Sequence, residues 1–176
     1  MIAIALSILG TVCICTSSFI KGKNMKLILL FVFLANALVA TSYLLTGAYN
    51  GAASCFVGAA QSIVSYFYDS KNQKIPLWLV GIYALSFIAV NLLVFKTLMD
   101  LIAMFASLCF VLSIVQKNGR SYRLATLICT LLWLTYDFTV GETYGPILTH
   151  SIQLVTVISG IIIHDIQKTS TTKNTQ

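Results

Sequence analysis

Apolar residues run through this chain in long blocks separated by short polar or glycine-rich breaks, at approximately 2–20, 27–46, 51–68, 77–95, 101–116, 124–140 and 146–163. Each block is close to the roughly 20 residues that a helix needs to cross a bilayer. The pattern predicts seven spanning helices. The breaks are of two main kinds. Those near 21–26, 69–76 and 117–123 carry Lys or Arg, whereas 47–51 and 141–145 have glycine at both ends. Glycine there permits positive φ in a short turn. Pro76 and Pro146 sit at or near helix starts, where a missing N–H does no harm.

The pattern also repeats. Lys23, Asn24, Lys26, Leu38, Thr41, Gly47 and Gly51 match Lys117, Asn118, Arg120, Leu132, Thr135, Gly141 and Gly145 at a constant offset of 94. The expected organisation is a first three-helix repeat at 1–68, a connector at 69–100 with its helix at 77–95, a second repeat at 101–164, and a disordered cytoplasmic tail at 165–176. Three spans invert the chain and one connecting helix inverts it again. The two copies are therefore expected to be parallel repeats about an axis along the membrane normal, a 3+1+3 arrangement.

Composition agrees with an all-α, polytopic membrane protein. Hydrophobic residues make up 58% of the 176 and charged residues 9%, where soluble domains carry about 25% charged. Seven spans sort the loops onto two sides. Ten of the 11 Lys and Arg residues then share one side, and Lys96 alone falls on the other. The positive-inside rule predicts an N-terminus outside and a cytoplasmic C-terminus. The first block lacks a basic n-region and is read as a helix, not a leader. The net charge of +6 belongs to retained loops, so no nucleic-acid partner is expected; the lipid bilayer is the expected environment.

Catalytic patterns are missing: no Walker-type loop, no G-x-S-x-G and no His/Cys ligand spacing. The chain is expected not to be an enzyme and to hold no metal or cofactor. Cys13, Cys15, Cys55, Cys109 and Cys129 all fall in apolar blocks, where thiols behave as small apolar groups. Tyr49 and Tyr144 near one set of ends, and Tyr66, Tyr68, Trp78 and Tyr122 near the other, form the expected aromatic belts.

Candidate chemistry lies where polar residues enter apolar blocks. Asp137 is the one acid placed inside a span, which makes it a functional candidate. Thr130, Trp133 and Asp137 share a helix face at i, i+3 and i+7, and the offset of 94 maps Thr130 onto Asn36 and Asp137 onto Tyr43. A face polar in both copies points to a shared interior. Gln61 and Gln153 lie near the middles of the third helices, with His150 three residues before Gln153. Asn91 on the connector reads as an interhelical hydrogen bond, and His150 as a satisfied buried imidazole. Ser54, Gly58 and Ser62 form a small-xxx-small ladder that suits close helix packing.

The segment Trp133-Leu134-Thr135-Tyr136-Asp137-Phe138-Thr139-Val140-Gly141-Glu142-Thr143-Tyr144-Gly145 resembles the YgjV family of bacterial inner-membrane proteins. In that family a Trp is followed by a polar pair and a Gly-containing turn. Leu44-Leu45-Thr46-Gly47-Ala48-Tyr49-Asn50-Gly51-Ala52 resembles the matching part of the first copy. The 3+1+3 organisation is similar to the SWEET and PQ-loop superfamily of small transporters, although the chain has no Pro-Gln dipeptide and no helix-interior proline. The resemblance implies a SWEET-like fold. The expected function is transport of a sugar or other small polar solute, proton-linked through Asp137, with Asn36, Thr130, Trp133, Asp137, Gln61 and Gln153 lining the path. The rival expectations are a non-transporting scaffold or receptor and an accessory subunit; a homo-oligomer is compatible with each.

Overall fold

Residues this apolar satisfy their backbone N–H and C=O groups within helices, because lipid offers no competing partners. The computed structural model describes residues 2–47, 49–140 and 144–166, all of whose regular elements are helical. They are α1 (Ile2–Phe19), α2 (Met25–Leu45), α3 (Tyr49–Ser70), α4 (Leu77–Val94), α5 (Asp100–Ile114), α6 (Gly119–Val140) and α7 (Tyr144–Ile161), the last continuing into a π-helical turn, Ile162–Ile166. Gly141, Glu142 and Thr143 of the second glycine turn and the tail from 167 lie outside the described residues. So do the side chains of Tyr49, Tyr144 and Pro146.

Helix boundaries depart from the hydropathy pattern where polar groups cap or pair. The sixth helix begins at Gly119 instead of 124, because the Asn118 side chain accepts a hydrogen bond from Ser121 N at 2.8 Å and so caps the first turn. Arg120 and Arg123 are thereby inside the helix. At the other end of the chain, Asp165 and Ile166 belong to the π-helical turn, not to the tail.

Four segments are long and apolar enough to span a membrane: Ile2–Phe19, Met25–Leu45, Leu77–Val94 and Ile147–Ile166. The other three fall short of that measure for readable reasons. α5 has only 15 residues, α3 carries Gln61 and four scattered serines, and the first turns of α6 hold Arg120 and Arg123. All three still turn large apolar side chains outward, including Phe67 on α3, Phe105 on α5 and Phe138 on α6, the last 65% exposed. An outer surface so rich in Leu, Ile and Phe matches hydrocarbon, not water.

Packing is built around α2 and α6. α2 lies against α1 and α3, α6 lies against α5 and α7, α4 lies between α3 and α5, and α1 touches α7. The core gathers Met25, Ile28, Leu29 and Val32 of α2 with Tyr83 and Phe87 of α4, Val111 and Ile114 of α5, and Tyr122 of α6. Glycines set the closest contacts. A Cβ on Gly160 would stand 2.4 Å from the Ser18 carbonyl oxygen, and one on Gly119 would stand 2.4 Å from the Gly22 Cα. Neither neighbour is a flexible side-chain end, so the helices themselves must separate.

Gly160→Ala and Gly119→Ala are therefore each expected to lower stability by about 1–3 kcal/mol, the usual cost of overpacking. Gly81, on α4, faces open space, and Gly81→Ala is expected to leave stability unchanged or slightly raised. Unfolding midpoints of the three variants in one detergent check the contrast.

Candidate functional site

An intramembrane carboxylate must find a hydrogen-bond donor or lose its charge. Asp137, near the end of α6, is 2% exposed, and its Oδ2 lies 2.6 Å from Nδ1 of His150 on α7. The antiparallel course of these helices makes the pairing. Asp137 stands six residues before Thr143 and His150 seven after it, so the two positions meet across the gap. The His150 ring in turn stacks on Trp133, one helical turn before Asp137, with centroids 5.8 Å apart and planes 13° apart. Trp133 also meets Tyr136 edge to face at 5.9 Å.

The Tyr136 hydroxyl donates to Asp100 Oδ1 at 3.0 Å, which ties this cluster to the start of α5. Asp100 Oδ2 accepts from the backbone N–H groups of Lys96 and Thr97 at 2.8 and 2.7 Å. Both bonds close the turn that leads into α5. Those N–H bonds, first from Thr97 and then from Lys96, hold the Asp100 carboxyl below its ordinary value of 3.8.

With Asp137 ionised, His150 Nδ1 donates to it and Nε2 is left as an acceptor. Chemically the cluster offers an aromatic face, an imidazole edge and a buried carboxylate within one helical turn. Among the described residues no three His, Cys, Asp or Glu side chains converge as metal ligands.

The other candidate residues lie apart from this cluster. Thr130 is buried and donates to the Thr126 carbonyl of its own helix at 2.8 Å. Asn36 donates to the Val32 carbonyl at 2.9 Å. Its Oδ1 covers Gly58 of α3, where a Cβ would come within 2.9 Å of it. Gln61, on α3, donates to the Tyr83 carbonyl and to Ser86 Oγ of α4, both at 3.0 Å. Its Oε1 is buried without a partner. Gln153 is half-buried on α7. Asn91 reaches from α4 to Ser107 of α5 at 3.3 Å, the interhelical bond expected of it.

The pairing of His150 with Asp137 did not emerge from the sequence, where His150 was grouped with Gln153. A second buried pair was missed entirely. Arg123 is 1% exposed and clasps Asp165 with two bonds, Nε to Oδ2 at 2.9 Å and Nη2 to Oδ1 at 2.6 Å. Its Nη1 donates to the Ile20 carbonyl at 3.1 Å. Nearby, Tyr122 OH and Ser17 Oγ lie 2.9 Å apart, and His164 Nε2 meets the Phe19 carbonyl at 2.7 Å. The end of α1, the start of α6 and the end of α7 are joined here. Sequence offered one signal, Gly119 four residues before Arg123, which permits the close approach.

Residues 1–168 match the Imp-YgjV family, described as a bacterial inner membrane protein. Comparison with curated proteins and with solved structures finds no match.

Arg123→Met strands the Asp165 carboxylate in a buried site and is expected to cost about 3–5 kcal/mol. Adding Asp165→Leu should recover most of that loss, because an apolar pair of similar volume leaves no charge uncompensated. Unfolding of both variants in detergent tests the pair. The lowered Asp100 carboxyl carries a pH sign. A depressed folded-state value contributes stability that is present above the ordinary value and lost as pH falls through the folded one. As pH falls through and below that ordinary value the wild type should therefore lose stability more steeply than Asp100→Asn; unfolding midpoints across that range decide it.

Proposed function

We propose that the chain, which belongs to the Imp-YgjV family of bacterial inner membrane proteins, carries a small polar solute across that membrane between two parallel three-helix repeats. The observation that carries this reading is buried Asp137 bonded to His150, a part-exposed ring that stacks on Trp133. Ionisable side chains inside a membrane are costly even when paired, and by default they mark a path for a solute or a proton. In this reading Trp133 offers a ring for stacking, Asp137 and His150 supply hydrogen bonds, and a proton held between them couples to transport. Sugars and other small polar metabolites fit such a surface.

The helix contacts support the repeat reading. Exchanging α1, α2 and α3 with α5, α6 and α7 exchanges the α1–α7 contact with an α3–α5 contact, and both occur. α4 then lies beside the second of these as the connector. Seven spans, an N-terminus outside and a cytoplasmic C-terminus complete the proposal, with SWEET-like architecture. The first repeat ends near residue 68 and the second begins near 101.

One observation favours a rival reading, a non-transporting scaffold, receptor or accessory subunit. Asn36 over Gly58 and Gln61 against Tyr83 and Ser86 use their polar groups to join helices. In that reading the polar stripe is glue. A membrane-impermeant thiol reagent separates the two. On a cysteine-free background, Trp133→Cys is expected to label readily in intact membranes, and protection at both 133 and 36 favours the scaffold.

The functional test is uptake of sugars, amino acids and vitamins by proteoliposomes. For a transported solute, Asp137→Asn is expected to cut uptake by at least about tenfold, the equivalent of one hydrogen bond to a charged group. It should also flatten the pH dependence. Uptake and pH profile both unchanged in Asp137→Asn would sink the role given to this residue.

A further inference from the structure

Two basic turns that lie 94 residues apart in sequence meet in space. The Gly119 N–H donates to the Gly22 carbonyl at 3.0 Å, which brings the α1–α2 turn against the α5–α6 turn. Beside this contact is an open cavity of about 510 Å³, bounded by Lys23, Asn24, Met25 and Lys26 from one turn, Lys117 from the other, and Asp69 at the end of α3. Lys23 and Lys117 hold the same place in the two copies of the sequence pattern. One cavity thus receives the equivalent lysine from each.

The lysines of this cavity outnumber its carboxylates. The ion pairs of the described residues join Arg123 to Asp165 and His150 to Asp137, and involve none of the three lysines. Asp69 is the single carboxylate set against them. Met25 and Lys26 open α2, a helix of 21 residues whose N-cap, Asn24, makes no side-chain capping bond. The Leu27 N–H already donates to the Asn24 carbonyl at 3.1 Å, which leaves the N–H groups of Met25 and Lys26 for an acceptor, and the helix end adds positive potential. Three lysines, a helix N-terminus and an open mouth of this size suit a compact anion with several acceptor oxygens.

We propose that this cavity binds a phosphate-bearing anion, supplied as the headgroup of an anionic lipid or as a soluble phosphate. The site is separate from the Asp137 cluster and does not depend on a transport role. Positive-inside retention explains why lysines lie on this side of the chain. It does not explain their convergence on one cavity, and it treats Lys71 and Lys74, in the α3–α4 turn, as equal to them. The Lys71/Lys74 pair therefore serves as the internal control.

The test uses the full chain in nanodiscs of phosphatidylcholine. One arm replaces part of that lipid with phosphatidylglycerol; the other adds inorganic phosphate, against chloride at equal ionic strength. Thermal unfolding is followed through each titration. The midpoint is expected to rise in at least one arm. A rise with phosphatidylglycerol alone assigns a lipid headgroup; a rise with inorganic phosphate assigns a soluble anion. The triple variant Lys23→Gln/Lys26→Gln/Lys117→Gln is expected to bind on the order of a hundredfold more weakly. Lys71→Gln/Lys74→Gln should bind as wild type, and Asp69→Asn at least as tightly. If the triple variant does not fold, Lys117→Gln alone should weaken binding by about fivefold. The proposal is overturned if neither arm raises the midpoint, if the lysine variants respond as wild type, or if Lys71→Gln/Lys74→Gln weakens binding as much as the triple variant.

Discussion

A guanidinium removed from water has to be met by acceptors, and Arg123 meets three: both Asp165 oxygens and the Ile20 carbonyl. The rest of the fold depends on this condition. Arg123 belongs to α6, Asp165 to the turn that ends α7, and Ile20 to the segment leaving α1, so satisfying one side chain fixes three chain segments from opposite ends of the sequence. Gly160 and Gly119 make the approach possible by removing the Cβ atoms that would hold the backbones apart. Removal of either partner is much worse than never having had the pair, because a buried charge without its partner keeps its whole desolvation penalty.

The corresponding place in the first half of the chain is closed differently. An offset of 94 maps Arg123 onto Leu29 and Gly119 onto Met25, both buried in the apolar core with Tyr83 and Phe87 of α4. One half is thus joined by a directional ion pair and the other by non-directional apolar packing against the connector. The Asp137 cluster follows the same rule of divergence, since its counterpart Tyr43 lays its ring over Gly51. In both places the second half holds the charge.

Hydropathy made the helices legible because each apolar block has a single physical cause, the need to bury about 20 residues in hydrocarbon. Asp137 was legible for the same reason, being an acid where acids are costly. Its partner was not, because His150 lies 13 residues away and reaches it only once α6 and α7 turn back on each other. Arg123 was less legible still. A basic residue near the end of a span reads as a retained loop, and Asp165 reads as part of a polar tail. Only the cap at Asn118 and the packing of Gly119 draw Arg123 into the helix and out of water. Asn36 and Gln61 read from sequence as lining a solute path, whereas their contacts with Gly58 of α3 and with Tyr83 and Ser86 of α4 follow only from how the helices pack.

The π-helical turn at Ile162–Ile166 decides which side chain Arg123 encounters. Val157 and Gly160 mark the inward face of α7. Had the helix kept ordinary α winding, His164, seven residues after Val157, would stand near the centre of that face, with Asp165 rotated about 100° away from it. The wider winding shifts the phase of the last turn by nearly one position. Asp165 swings inward to the guanidinium, and His164 moves to the Phe19 carbonyl. Two neighbouring residues are thus sorted by the pitch of the backbone beneath them, Asp165 to a donor, the Arg123 guanidinium, and His164 to an acceptor, the Phe19 carbonyl.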